Sequence, residues 1–191
     1  MSGRHPAKQG RLFVVAGPSG VGKGTVIRRL RELLPGLELS VSSTTRARRE
    51  TEREGVDYRY VTDAEFDRLI ADGALLEWAD IFGHHRSGTP AAPVERARAE
   101  GRDVILEIDV QGARQVRDKL PEAVLIFLAP PSIDDLRERL QGRGTEDGSQ
   151  IARRLQVARG EMDERPQFDH VVVNDDVERA AGEIAGIIAG H

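Results

Sequence analysis

The sequence predicts an α/β protein with three α/β/α layers, in which helices cover both faces of a central, mostly parallel β-sheet. First, residues 12–16, 103–109 and 123–128 are apolar runs of the kind that forms strands buried on both faces. Second, each run is followed by a segment with the apolar spacing of a helix, and this alternation builds a parallel sheet. Third, a glycine-rich turn directly follows the first run, so that strand, turn and helix are consecutive.

The composition indicates one globular domain and argues against membrane or nucleic-acid partners. A chain of 191 residues is long enough for a full core, and its formal net charge of −4 disfavours general nucleic-acid binding. No apolar run approaches the roughly 18 residues of a membrane span, and residues 1–10 lack the hydrophobic segment of a signal peptide. The absence of cysteine excludes disulfides and zinc–cysteine sites. We therefore expect a cytoplasmic protein.

The glycine-rich turn has the spacing of a phosphate-binding loop. Its glycines allow consecutive backbone N–H groups to point into one hollow at a helix N-terminus, and a lysine reaches the phosphates as a point charge. Gly24 stands where this motif has the Ser or Thr that coordinates Mg²⁺, so we expect phosphates and waters to hold the metal. The candidate phosphate-binding residues are Gly17, Pro18, Ser19, Gly20, Val21, Gly22, Lys23, Gly24 and Thr25.

A second anion site is predicted at the end of another strand. Residues 37–42 alternate like a short strand, and Arg46, Arg48 and Arg49 follow soon after it. Arginine forks match phosphate geometry, and α/β sheets place ligands at strand ends. The alternative is a solvated basic loop.

The next part of the chain offers one embedded carboxylate. Residues 75–81 predict a strand that carries Glu77, whose alternative interpretation is the exposed face of an edge strand. Residues 83–90 are interpreted as a loop. Its neighbouring His84 and His85 point in different directions, so no metal site is expected there.

Two further features lie in the second half. Asp109 ends a predicted buried strand beside the phosphate loop, where it would meet the water shell of magnesium; capping the next helix is the other interpretation. Residues 141–149 predict a flexible segment, and the glycines that flank Arg143 suggest a hinge that folds over a phosphate.

Together these motifs resemble guanylate kinases, a family of P-loop nucleoside monophosphate kinases, over about residues 10–190. The order and spacing of several short motifs carry the resemblance: Gly17-Pro18-Ser19-Gly20 with Gly22-Lys23, Ser40 to Arg46, Gly55-Val56-Asp57-Tyr58, Glu77-Trp78, Glu107 to Gly112, Arg139 to Thr145, and Val173 to Asp176.

The resemblance implies ATP-dependent phosphorylation of GMP, and of dGMP, to GDP in purine metabolism and GMP recycling, with Mg²⁺ bound to ATP. It also implies a single domain with a core of about residues 10–41, 91–131 and 166–190, a mixed β/α GMP-binding insertion at 42–90 and a helical lid at 132–165. The implied catalytic residues are Lys23, Arg46, Arg143 and Arg154. The implied ATP contacts are residues 17–25 with Arg143 and Asn174, and the implied GMP contacts are Ser42, Arg46, Arg49, Tyr58, Glu77, Arg86, Ser87, Thr89 and Asp109.

Two positions depart from the family pattern. Where many members have Tyr-Tyr-Gly-Ser or Tyr-Tyr-Gly-Thr, this chain has Arg86 in place of a phosphate-binding tyrosine, followed by Ser87-Gly88-Thr89. The Gly24-Thr25 pair resembles adenylate kinases, so an adenylate-type kinase is one alternative. A catalytically silent module that binds a phosphorylated partner is another, although the intact Lys23 favours an enzyme.

Overall fold

The computed structural model describes residues 9–81, 83–141 and 148–191, which form both strands and helices. The predicted α/β class with a mostly parallel sheet is confirmed. The elements are β1 (Leu12–Ala16), α1 (Lys23–Leu33), β2 (Glu38–Leu39), β3 (Ser43–Thr44), β4 (Arg59–Tyr60), α2 (Asp63–Ala71), β5 (Leu75–Ile81), β6 (His85–Pro90), α3 (Ala91–Ala99), β7 (Val104–Glu107), α4 (Val110–Lys119), β8 (Val124–Ala129), α5 (Ile133–Gln141), α6 (Gly148–Asp163), β9 (His170–Val173) and α7 (Val177–Gly190).

The parallel strands follow the order β2-β7-β1-β8-β9. In β1 every residue is buried, which explains why the sequence there is apolar throughout instead of alternating. Phe13 pairs with Val124 across β1 and β8, and Ile126 pairs with His170 across β8 and β9. These registers bring the carboxyl ends of β1 and β8 to the same edge of the sheet.

A second sheet has the order β4-β3-β6-β5, with β6 antiparallel to both of its neighbours. The prediction of a loop over residues 83–90 is therefore wrong, because His85–Pro90 is a strand paired on both sides. Its residues carry almost no apolar alternation, which is the signal that sequence reasoning uses to recognise strands. Pairing with the apolar strand β5 supplies the burial that β6 lacks on its own.

The chain divides into two compact units. The first contains residues up to Leu12, Glu38–Leu106 and Gln111–Ala123, and it includes the whole second sheet. The second contains Phe13–Leu37, Glu107–Val110 and the residues from Val124 on. Within the second unit α1 packs against α7, and α5 packs against α6 through a buried leucine cluster.

Helix α2 begins at a capping box, which the Thr-x-x-Glu spacing of Thr62 and Glu65 indicates in the sequence. The Thr62 hydroxyl accepts a hydrogen bond from the Glu65 N–H at 3.2 Å, and the Glu65 carboxylate accepts one from the Thr62 N–H at 2.7 Å. This reciprocal capping box satisfies two backbone donors at the helix start. Among the helices of residues 9–81, 83–141 and 148–191, none is long and apolar enough to span a membrane.

Candidate active site

The loop between β1 and α1 has the backbone that its glycines require. Gly22 caps α1 with a left-handed φ of 98°, a backbone conformation that residues other than glycine adopt only with strain. At Gly17 a Cβ atom would stand only 2.2 Å from the carbonyl oxygen of Leu128, so the loop approaches β8 too closely for any side chain. The Lys23 ammonium donates to the Gly17 carbonyl at 2.6 Å, which holds its charge over the loop.

Two side chains of the second unit donate hydrogen bonds to the backbone of this loop. The Asn174 amide, only 3% exposed, donates to the Val21 carbonyl at 2.7 Å. Arg139 donates to the same carbonyl at 3.0 Å and to the Asn174 carbonyl at 2.8 Å. In this structure Asn174 therefore contacts the loop, and the ATP contact that the family resemblance implies for it stays a prediction.

Helix α6 reaches the loop at Ser19. Arg154 donates to the Ser19 hydroxyl at 2.6 Å, and the Glu161 carboxylate accepts a hydrogen bond from the Ser19 N–H. Burial raises the pKa of Glu161 to about 7; Lys23 opposes this shift and the charge of Asp109 adds to it. The predicted catalytic Arg154 thus lies at the phosphate loop, while Arg143 lies outside the described residues.

A second carboxylate faces the loop at Gly24. A Cβ built on Gly24 would lie 3.5 Å and 3.7 Å from the two carboxylate oxygens of Glu107. Burial raises the pKa of Glu107, and the charge of Lys23 opposes that shift. The position where a Ser or Thr hydroxyl is missing therefore has carboxylate oxygens beside it, although the described residues hold no group of three His, Cys, Asp or Glu able to bind a metal alone.

The first unit assembles the predicted anion site around a carboxylate. Arg46 donates two hydrogen bonds to Glu52, at 2.8 Å and 2.5 Å. The Arg49 N–H and the Tyr60 hydroxyl donate to the same carboxylate at 2.9 Å and 2.7 Å. Chiefly because of the Arg46 hydrogen bonds, the pKa of Glu52 falls to about 2, so Glu52 stays ionised at any pH relevant to activity.

Two tyrosines complete this anion site. The Arg46 guanidinium stands 4.8 Å from the centre of the Tyr58 ring and 5.8 Å from that of Tyr60. Burial and the hydrogen bond to Glu52 raise the pKa of Tyr60 to about 12, so its hydroxyl remains a donor. The side chain of Arg49 is 73% exposed, which leaves its guanidinium accessible to an anion.

The second sheet also buries an acid. Glu77 is 3% exposed, and the hydroxyl of Thr89, which is 1% exposed, donates to it at 2.6 Å. β5 is indeed the edge strand of its sheet, but the alternative interpretation that Glu77 faces solvent is wrong. A buried carboxylate is costly unless polar groups compensate it, and such a group is a strong acceptor for donors that enter its pocket.

The side chain of Arg86 contacts helix α2 in this structure. Its guanidinium donates to Asp67 at 2.6 Å and to Asp63 at 2.8 Å, both on α2, and stands 4.9 Å from the centre of the Phe66 ring. These contacts argue against the GMP-phosphate contact that the resemblance implies for Arg86, a prediction that a substitution can test. Ser87, its neighbour on β6, pairs with Thr44 of β3.

The remaining predicted residues lie close to those already described. Ser42 directly precedes β3, and its carbonyl accepts a hydrogen bond from the Arg59 N–H at 2.9 Å. Asp109 belongs to the second unit, where it raises the pKa of Glu161 electrostatically.

Sequence reasoning missed four charged residues at these sites: Glu52, Glu107, Arg139 and Glu161. All four lie in charged segments or in motifs. The amino-acid composition of such segments does not distinguish a charged residue that makes structural contacts from one that faces solvent. Glu107 and Arg139 offered a signal, because both stand inside the motifs that carry the family resemblance. Glu52 and Glu161 become recognisable only when folding sets them against Arg46 and Ser19.

Comparisons with known proteins agree over nearly the whole chain. The guanylate kinase family model matches residues 9–190. The chain is 55% identical over 186 residues to a guanylate kinase of Mycolicibacterium paratuberculosis, covering 97% of this chain and 83% of that protein. It is 54% identical to one of Corynebacterium diphtheriae, with all of both chains covered. The crystal structure of guanylate kinase from Anaplasma phagocytophilum matches with a TM-score of 0.79 at 34% identity, covering 96% of this chain and 86% of that one.

Proposed function

The chain belongs to the guanylate kinase family, and from this we infer that it transfers the γ-phosphoryl group of ATP to GMP, giving ADP and GDP. The observation that carries the choice of acceptor is the buried Glu77 carboxylate with Thr89 as its donor. Guanine offers its N1–H and 2-amino donors side by side, and adenine does not, so a carboxylate selects guanine. We extend the proposal to dGMP as a second acceptor.

We propose that ATP binds at the loop of residues 17–25. Support comes from the left-handed Gly22 at the start of α1 and from Lys23, whose ammonium lies over the loop. The backbone N–H groups would bind the phosphates of ATP, with Lys23 as a mobile charge. Arg154 contacts the loop at Ser19, which is consistent with a role toward the transferred group. Asn174 and Arg143 stay in the proposal as residues near ATP.

The residues beside Gly24 fit a magnesium ion bound to ATP. Mg²⁺ prefers oxygen ligands and retains several waters, so phosphates, waters and one carboxylate are an adequate donor set. Glu107 would supply that carboxylate next to the loop, and Asp109 would act through water. When bound, the ion would neutralise charge on the phosphates.

We propose that the acceptor phosphate binds Arg46, Arg49 and Tyr58, and that Ser42, Ser87 and Thr89 lie along the nucleoside. A phosphate acceptor is already anionic, so no strong general base is needed and catalysis rests on positioning and charge neutralisation. Lys23, Arg46, Arg143 and Arg154 would share that neutralisation. We also propose that the chain is one domain in which the insertion at 42–90 and the lid at 132–165 close to exclude water.

The test is a substitution that keeps the shape of Glu77 and removes its charge. Glu77→Gln should lower kcat/KM for GMP roughly 30- to 700-fold, because about 2–4 kcal/mol of charge-assisted hydrogen bonding is lost. The KM for ATP should change less than about twofold, since Glu77 does not touch the donor in this proposal. ADP release measured with GMP, dGMP, AMP, CMP and UMP reads out both effects.

A matched control is Glu95→Gln, which makes the same chemical change on the exposed face of α3 and should leave every rate unaltered. Unaltered GMP turnover in Glu77→Gln would contradict the guanine assignment. Binding of GMP without ADP release by the wild-type protein would contradict the kinase and favour the silent binding module.

A further inference from the structure

The second sheet has two faces with different chemistry. Residues directly opposite each other on antiparallel strands share a face, and neighbours along a strand alternate. Glu77 pairs with Thr89, and Ile81 pairs with His85, four residues further along both strands, so these two pairs lie on one face. On the other face Trp78 packs against the Phe66 ring of α2 with ring centres 6.4 Å apart.

Arg86 belongs to that second face, since it pairs with Asp80 and stands over Phe66. Its neighbour His85 is therefore turned the opposite way, toward the face that carries the buried Glu77. Thr89 is four positions after His85 in the strand, a distance of about 14 Å at roughly 3.4 Å a residue. An extended mononucleotide that has its base at Glu77 and Thr89 spans a comparable length.

The charged residues around His85 indicate where the phosphate end of that nucleotide would lie. His85 is half-buried, and the cations of Arg46 and Arg49 act on it from the segment after β3. The exposed His84 adds a smaller effect from the turn, and Asp80 on β5 opposes these cations. Hydrogen bonds between Arg86 and Thr45, at 3.0 Å in both directions, also place the start of β6 beside the segment that carries Arg46, so His85 lies near the acceptor anion site.

This anion site has less positive charge than its arginines suggest. Arg46 and Arg49 both pair with the ionised Glu52, which offsets one of their two positive charges, while Arg48 donates to the Glu52 backbone carbonyl. A nucleoside monophosphate near neutral pH carries a phosphate dianion. A further cation that forms only when the dianion arrives would strengthen the binding of that dianion, and histidine is the side chain suited to this task.

We propose that His85 is a further ligand of the GMP phosphate, donating an imidazole N–H to it beside Arg46 and Arg49. The proposal rests on the proposed function, since it deepens the same acceptor site. A neutral imidazole supplies one N–H donor and an imidazolium supplies two together with a charge, so the contact strengthens on protonation.

The direction of the pH effect follows from the surroundings. Burial, with the arginines adding to it, lowers the pKa of His85 in the free protein, so the ring is neutral near pH 7. A bound dianion favours the imidazolium and raises that pKa. Between the free and bound pKa values GMP binding takes up a proton, so the contribution of His85 to affinity falls as pH rises through this window.

The test compares His85→Leu with His84→Leu, the same change at the adjacent exposed histidine. By calorimetry His85→Leu should weaken GMP binding about 5- to 50-fold, the range expected for a lost charge-assisted hydrogen bond at a half-exposed site. Guanosine, which lacks the phosphate, should bind both variants and the wild type alike. His84→Leu should bind GMP as the wild type does.

Two further measurements separate a ligand from a merely structural residue. The ratio of wild-type to His85→Leu affinity for GMP should fall from pH 6 to pH 8, because the phosphate titrates equally in both proteins and cancels. His85→Lys, a permanent cation, should restore GMP affinity and lose this pH dependence.

Unchanged GMP affinity in His85→Leu would overturn the proposal, and so would an equal loss for guanosine or a flat affinity ratio. None of these results touches the proposed function, which fails separately if the wild-type protein releases no ADP with GMP.

Discussion

Burial disfavours the ionised form of Glu161 in the folded protein. Its Oε2 atom is buried without a hydrogen-bond partner among the described residues, and its pKa is raised to about 7. The folded state therefore holds a proton that the unfolded state, with a carboxyl pKa of 4.5, releases. Stability falls as pH rises from about 4.5 to 7, and the full cost is present above 7.

We predict that Glu161→Gln stabilises the protein at pH 8 and changes little at pH 5. The gain at pH 8 should be on the order of 2–3 kcal/mol, because each pKa unit corresponds to about 1.36 kcal/mol and the site is not fully dry. The amide oxygen still accepts from the Ser19 N–H. Urea unfolding at the two pH values measures the effect, and Glu138→Gln on the exposed face of α5 is the control. An equal effect at both pH values would refute the burial argument.

The residues that the sequence identified at these sites are those with a motif or an unusual local chemistry. Lys23 follows from loop spacing and Arg46 from its position after a hydroxyl-rich strand end. His85 was considered only as a metal ligand, because the side of the sheet it occupies depends on the register of β6 with β5. Such a register is set by tertiary pairing and cannot be read from a polar segment.

At the scale of elements, Arg86 connects α2 to the second sheet through ion pairs and a contact with an aromatic ring. It joins β6 to Asp63 and Asp67 and covers the Phe66 ring. We predict that Arg86→Gln lowers the free energy of unfolding by about 1–2 kcal/mol, the sum of two exposed ion pairs and a cation–π contact. For a chain of this size the midpoint of thermal unfolding should fall by roughly 2–8 °C.

The same variant tests which face of β6 serves the substrate. The KM for GMP should stay within about twofold of the wild type, because Arg86 points away from the face of Glu77. Arg68→Gln, at an exposed arginine on the same helix, should affect neither stability nor KM. A large rise in KM at unchanged stability would return Arg86 to the phosphate site.

The elements that sequence reasoning found are those whose signal is local. Thr62 and Glu65 indicate the capping box of α2, and an uninterrupted run of apolar residues indicates β1. Residues 56–61 alternate in the sequence like a strand, but β4 contains only Arg59–Tyr60, because only these residues pair with β3. Strand β6 was missed because its burial comes from neighbouring strands and not from its own residues.

At the scale of the whole molecule, our proposal assigns the ATP loop and most of the GMP residues to different compact units, with Asp109 in the unit of the ATP loop. The donor loop with Lys23 lies in the unit that contains α1, and the acceptor residues Arg46 and Glu77 lie in the unit that contains the second sheet. The α/β class was predictable because alternating apolar strands and helices are a property of the entire chain. The assignment of ATP and GMP residues to the two units was predictable only through the order of the motifs along the chain.

Separate sites predict separable ligand stabilisation. GMP at 100 times its dissociation constant should add about 2.7 kcal/mol to the free energy of unfolding, a rise of roughly 5–11 °C in the thermal midpoint. Lys23→Ala should keep this GMP shift and lose most of the shift given by ATP. Glu77→Gln should do the reverse, because its acid serves only the guanine. Thermal unfolding of both variants with each nucleotide alone gives four measurements, and loss of both shifts from one substitution would contradict the assignment of donor and acceptor to different units.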